Sequence, residues 1–278
     1  MRHSPARTDG RGHLSLAAGQ ADLAPSWLLV GNSRWHRAEA ADAGLRIHHR
    51  EAAAEIQEPW PAPLVAWAAV GRLPAGWCDE PVGRVLTADV PLQAMPAWLG
   101  VDRALAGWLA WRQRREAVLV ADAGTVLSLT RVDRDGRFAG GRLMAGLRLQ
   151  LRVMAEGTEA LPAAPSPREG ADLLEQELWP DGTSAAMAVG VTHGLAAAVA
   201  VAFRQARAEL PGCRLVLTGG DASGLLPLVR ELLAGEAETA SLEPDLALRA
   251  LVALRPVSPG GIRPVRDRPA PDRPSFRL

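Results

Sequence analysis

Apolar and polar positions along this 278-residue chain predict the same run of elements twice. In the first run, Trp27-Leu28-Leu29-Val30 reads as a buried strand that enters the polar loop Gly31-Asn32-Ser33. A second strand over about Arg34 to Ala40, a turn at Asp42-Ala43-Gly44 and a third strand over Leu45 to His49 follow. In the second run, the apolar strand Val118-Leu119-Val120-Ala121 enters the loop Asp122-Ala123-Gly124-Thr125. An alternating strand over Val126 to Val132, a turn at Asp133-Arg134-Asp135-Gly136 and a strand starting at Arg137-Phe138-Ala139 complete it.

Aligning the runs sets Gly31-Asn32-Ser33 on Gly124-Thr125 and makes Leu29 the counterpart of Asp122. The period is too long for a solenoid, so the duplication predicts two similar α/β halves facing each other across a cleft. The expected division is a flexible extension over 1–25, an N-terminal half over 26–115, a C-terminal half over 116–255 and an unstructured tail over 256–278. Val101 to Arg115 predicts a helix with Leu105, Trp108 and Leu109 on one face. Asp172 to Glu177 and Ser184 to Leu210 are further helical patterns. Arg214 to Thr218 predicts a strand ending in Gly219-Gly220-Asp221, with a helix from there to about Leu233.

Ala185 to Phe203 carries no formal charge over roughly the length that spans a bilayer. Its high alanine content, and the continuation of the helical pattern through Arg204, Arg207 and Glu209, make it a buried or interface helix and not a membrane span. Formal net charge is zero, which gives no global attraction to nucleic acid or membrane. Cys78 and Cys213 lie far apart without metal-ligand spacing, as free thiols in a reducing cytoplasm would.

The chain has no lysine; all 31 basic residues are arginine. A lysine-dependent Walker loop is therefore excluded, and any phosphate must be held by backbone N–H groups, small hydroxyls and a carboxylate-bound metal. Each candidate loop has two readings. Gly31-Asn32-Ser33 is either a hairpin turn or a phosphate loop. Asp122 ends a buried strand, where a lone charge is costly, so it is either a cation ligand or a turn cap. Gly219 and Gly220 either form a plain turn or bring backbone against a nucleotide. Asp102 at a helix start either offsets the helix dipole or accepts a proton from a substrate hydroxyl, with Arg103 gripping an anionic group. Trp108 and Trp111 read as packing residues, His193 as a satisfied core histidine, and His48 and His49 as alternating across a strand, unable to share a metal.

Taken in order, these loops resemble the type III pantothenate kinases of the actin-like, sugar-kinase-like superfamily, whose duplicated halves are ribonuclease-H-like. The likeness runs from about Trp27 to Leu254. Leu99-Gly100-Val101-Asp102-Arg103 resembles the family's substrate loop and Asp122-Ala123-Gly124-Thr125 its second phosphate loop. Gly140-Gly141 with Ala145-Gly146-Leu147, Thr183-Ser184-Ala185-Ala186-Met187 and Thr218-Gly219-Gly220 resemble further family stretches. The resemblance implies transfer of the ATP γ-phosphoryl to pantothenate in a cytoplasmic homodimer, the first step toward coenzyme A. Asp102 would be the general base, and Gly100, Val101, Arg103 and Thr183 would position the substrate. Gly31, Asn32, Ser33, Arg34, Gly124, Thr125, Gly219 and Gly220 would meet ATP with Mg²⁺. Asp122 would hold a monovalent cation, K⁺ or NH₄⁺.

Two positions depart from the family pattern. The usual leading aspartate of the first loop is Leu29, and Gln93 stands roughly where a substrate-contacting tyrosine is usual. The loss at Leu29 motivates an alternative, a weak or inactive nucleotide-binding relative with a regulatory role. A kinase for a different small hydroxyl substrate is a third reading.

Overall fold

In a computed structural model of the protein, residues 24–52, 64–73, 83–163 and 177–257 are described. Two sheets carry the fold. The first contains β1 (Ser26–Val30), β2 (Arg34–Ala41), β3 (Gly44–Glu51) and β4 (Leu64–Ala69), in the order β3-β2-β1-β4. The second contains β5 (Val118–Ala123), β6 (Val126–Val132), β7 (Phe138–Ala145), β8 (Arg214–Thr218) and β9 (Ala240–Leu242), in the order β7-β6-β5-β8-β9. In each sheet an antiparallel meander is joined on the far side of its first strand by a parallel strand, β4 on β1 and β8 on β5. This is the duplicated α/β topology expected from the two runs, with β9 added only to the second sheet.

Among the described residues are five α-helices, α1 (Val101–Arg114), α2 (Leu147–Glu156), α3 (Thr183–Glu209), α4 (Ala222–Leu233) and α5 (Leu246–Leu254), and two short 3-10 helices, Thr87–Asp89 and Ala234–Thr239. Side-chain alternation along the central strands explains how they pack. Trp27 and Leu29 join the core around α1 and α5, whereas Leu28 and Val30 turn to the opposite face with Trp35 and Trp67. On β5, Val118 and Val120 face that same α1–α5 core, while Leu119, Ala121 and Ala123 face α2, α3 and α4. Residues from both sheets therefore meet in one apolar core around α1 and α5. By this alternation Leu29 and Asp122 both belong to the strand face turned toward α1, whose start carries Asp102.

The long uncharged helix α3 has the length and composition of a membrane span. Met187, Val191, Leu195, Val199 and Phe203 are nevertheless buried in the core beside the second sheet. Its other face, with Ala186, Gly190, Gly194, Ala197 and Val201, is exposed. One expectation on this helix is corrected. His193 is not a satisfied core histidine: its Nε2 is buried without a hydrogen-bond partner among the described residues. Cys213 is buried as a free thiol. Residues 172–176 of the helix expected over Asp172 to Glu177, Cys78, and nearly all of both tails lie outside the described residues, and Glu177 itself is not helical.

Candidate active site

The two phosphate-type loops lie at the C-terminal ends of β1 and β5, and strand register makes them equivalent. Val30 pairs with Trp35 and Ala123 with Leu127 as the last rungs before each loop. One rung back, Leu29 pairs with His36 and Ala68, and Asp122 with Ser128 and Thr218. Leu29 thus occupies the position of Asp122 in the first half. It is 7% exposed and packed in the apolar core, so it does the work of a core side chain.

The loops come together directly. Ser33 Oγ and Thr125 Oγ1 are 2.6 Å apart, across a sequence separation of 92 residues. Each loop is also closed from behind by a glycine. A Cβ on Gly71 would overlap the Gly31 carbonyl, and one on Gly146 would overlap that of Gly124. Arg34 extends this meeting to the turn after β8. A Cβ on Gly220 would lie 3.7 Å from its Nη1, and the charges of Arg148 and Arg34 partly offset the upward push that burial gives the Asp221 carboxyl. Asn32 is exposed beside Ser33.

Asp102 sits in the first turn of α1, whose N-cap is Gly100. Its Oδ1 accepts the backbone N–H of Arg103 at 2.8 Å, and a Cβ on Gly100 would come within 2.5 Å of the same oxygen. Burial raises the Asp102 pKa, against the pull of the Arg103 N–H and guanidinium, and so makes the carboxylate a stronger base. Arg103 is itself buried, 8% exposed, with Nε donating to Thr130 Oγ1 at 3.1 Å. Gly141 leaves it room: a Cβ there would come 2.5 Å from Arg103 Nη2. Burial lowers the Arg103 pKa, and Asp102 opposes that shift. The Val101 side chain enters the core, which leaves only its backbone to meet a ligand.

Asp122 lies one rung before the second loop. Burial first, and then the Asp102 carboxylate, push its pKa up to about 7. Among the described residues no ion pair or side-chain hydrogen bond offsets its charge. Gly219, at φ +92, packs so closely that a Cβ would overlap Asp122 Oδ1. An unpaired carboxylate in a crowded, partly dehydrated position fits a cation better than it fits a turn cap.

Thr183 starts α3 in an exposed position. Gln93 accepts from Arg137 Nη1 at 3.3 Å and pairs with the backbone next to that arginine. Thr130, Gly71 and the reason for Gly141 were missed by sequence reading, because their roles follow from pairing across strands. Trp108 and Trp111 are packing residues, as expected; Trp111 Nε1 donates to the Arg134 carbonyl at 2.8 Å.

A duplicated α/β fold, with strand-end loops joined through Ser33 and Thr125 and a half-buried carboxylate at the start of α1, is the class of protein that the geometry defines. Within that class the chain belongs to the type III pantothenate kinase family. The family's sequence pattern, "Type III pantothenate kinase", matches residues 83–205. A type III pantothenate kinase of Synechococcus elongatus is 32% identical over 225 residues, covering 74% of this chain and 87% of that protein. Another, from Thermosynechococcus vestitus, is 34% identical over 211 residues and covers 74% and 79%. Among solved structures, the (R)-2-hydroxyglutaryl-CoA dehydratase component A of Acidaminococcus fermentans is similar at TM-score 0.44 and 12% identity, covering 84% of this chain and 96% of that one.

Proposed function

We propose that the protein transfers the γ-phosphoryl group of ATP to the primary hydroxyl of pantothenate, giving 4′-phosphopantothenate at the entry to coenzyme A synthesis. Family membership supplies the substrate. The observation that carries the chemistry is the meeting of Ser33 and Thr125, in a fold that also holds two half-buried carboxylates, Asp102 and Asp122, whose pKa burial raises.

In this reading Asp102 accepts the hydroxyl proton as the oxygen attacks the phosphorus, and the proton stays on its carboxyl group until product leaves. Arg103, fixed by Thr130, binds the pantothenate carboxylate, while Gly100 and the Val101 backbone shape the contact. Backbone N–H groups of Gly124, Gly219 and Gly220, with Asn32, Ser33, Arg34 and Thr125, orient the ATP phosphates, while Gly31, whose N–H donates to the Arg34 carbonyl at 3.0 Å, shapes the first loop. Asp122 holds a monovalent cation, K⁺ or NH₄⁺, and Mg²⁺ accompanies ATP; both neutralise phosphate charge when bound. The protein works as a cytoplasmic homodimer in which the exposed start of α3 brings Thr183 to a pantothenate site shared with the partner. The cleft separates halves spanning 26–115 and 116–255.

The test is phosphorylation of pantothenate by purified protein with ATP and Mg²⁺, in K⁺ and then in Na⁺, beside Asp102→Asn. Potassium-dependent product that disappears in the variant supports the reading. A folded protein that binds ATP but forms no product would point instead to the regulatory relative, and product only with another hydroxyl acceptor would replace the substrate.

A further inference from the structure

A second cluster of ligand-type side chains lies on the far side of the first phosphate loop. His36 on β2 and His49 on β3 are direct cross-strand partners, so both side chains stand on one face of the hairpin. Asp245, at the start of α5, joins them from the other half of the sequence. His36 Nδ1 and His49 Nδ1 are 2.7 Å apart, and His49 Nε2 is 3.6 Å from Asp245 Oδ1. One ligand atom from each of the three lies within 4.8 Å of the others. His48, one residue along, turns to the opposite face and approaches Glu39 at 3.6 Å. The alternation that bars His48 and His49 from sharing an ion is what pairs His49 with His36.

We infer that His36, His49 and Asp245 form a binding site for a divalent transition-metal ion, separate from the cations that serve ATP. Two imidazoles and one carboxylate are the donor set of zinc, cobalt, nickel or iron, whereas Mg²⁺ takes oxygen ligands and keeps its waters. The three donors come from three elements and lie within 4.8 Å of one another. At metal–ligand distances of about 2.0–2.2 Å, two donors of a tetrahedral ion stand about 3.3 Å apart. The imidazole pair must open from 2.7 Å by a fraction of an ångström, and Asp245 must swing inward. His49 has the freedom for this, with 42% of its side chain exposed, against 19% for Asp245. The ring that donates in the Nδ1···Nδ1 hydrogen bond changes tautomer, so that both nitrogens present lone pairs to the ion.

Charge near the site favours a cation only modestly, since the Asp245 carboxylate is opposed by Arg34 near His36. The site is adjacent to the first phosphate loop: a Cβ on Gly31 would lie 3.8 Å from His36 Nε2, and His36 is the rung partner of Leu29. A bound ion would tie the β2–β3 hairpin to α5 and fix His36 beneath that loop.

The test is titration of tag-free, chelator-treated full-length protein with Co²⁺, read by visible absorption, then with Zn²⁺ by displacement. One equivalent of Co²⁺ with the intense bands of a four- or five-coordinate ion is expected, together with a rise in thermal midpoint on adding Zn²⁺. His49→Gln and Asp245→Asn should each weaken Co²⁺ binding at least about tenfold, the low end of what losing even an outer-shell partner costs. Asn tolerates the left-handed backbone of Asp245, φ +57, so that variant keeps its fold by circular dichroism. His48→Gln should bind as the parent does. No uptake by the parent, or equal affinity in His49→Gln and Asp245→Asn, overturns the assignment. Neither result bears on the kinase reading, because the readout is metal binding and not phosphorylation.

Discussion

The hydroxyls of Ser33 and Thr125 face each other at 2.6 Å, one from each phosphate loop, and bring the two duplicated halves into direct contact. Each can turn its hydrogen toward an anion instead, so a phosphate placed between them would gain two donors. Thr125→Ala is expected to raise the KM for ATP about tenfold, the size of a hydrogen bond to a charged group, with little change in melting temperature. Ser33→Ala should do nearly the same. The double variant should lose less than the sum, since either deletion already removes their contact. Strictly additive losses in steady-state kinetics would mean that the pair does not act on one phosphate.

Asp102 combines a raised pKa with a position at the start of α1, next to the guanidinium that would hold the substrate. Asp102→Asn keeps the shape and can still accept the Arg103 N–H through its amide oxygen. We expect kcat to fall about 100- to 10,000-fold, the range attributed to a positioned general base, while the KM for ATP stays within a few-fold. A parallel fall in thermal stability would show that the residue serves the helix start and not proton transfer.

What the sequence made legible were features carried by contiguous residues. Apolar strands running into polar loops predicted β1, β5 and β8, and the Asp102 helix and the long uncharged helix lie within a residue or two of expectation at each end. The strand β4 and the helix α5 were not read. Leu64–Ala69 is a short apolar run whose periodicity alone does not separate a strand from a buried helix segment, and Leu246–Leu254 is apolar on nearly every face, so its period is hidden. Features that depend on which strand lies beside which were invisible. Gly71 against Gly31, Thr130 on Arg103 and His36 against His49 are set by register, and no single stretch of sequence contains both partners.

Asp122 ties charge to pH. Its carboxyl titrates at about 7 in the fold, against an ordinary value of 3.8. Between those values the folded protein holds a proton that the unfolded chain releases, so stability falls as pH rises through that window, and the burden is complete above about pH 7. Asp122→Asn should therefore stabilise the protein at pH 8 without K⁺, by about 2–4 kcal/mol, and leave it unchanged near pH 4. The same variant should lose potassium activation. For the parent, a proton and the cation compete for one carboxylate, so the K⁺ concentration needed for half-maximal rate should climb as pH drops below about 7. A potassium requirement that is flat between pH 6 and pH 8 would place the cation elsewhere.

Leu29 stands where the second half has Asp122, yet its side chain is buried with Trp27, Ala38, Ala66 and Ala68. Leu29→Asp would restore the family's first-loop carboxylate at the expense of that packing. Two opposed effects follow. Placing a carboxylate in an apolar site, with only His36 as a polar neighbour across the strand pair, should destabilise the protein by about 2–4 kcal/mol in urea unfolding. At temperatures where the variant stays folded, the new oxygen ligand should lower the Mg²⁺ concentration needed for half-maximal rate. Leu29→Asn separates the two effects, because it perturbs the core similarly but adds no negative charge. If Asp and Asn shift the Mg²⁺ dependence equally, or neither shifts it, the site is organised around leucine and the first-half carboxylate has no remaining place in its chemistry.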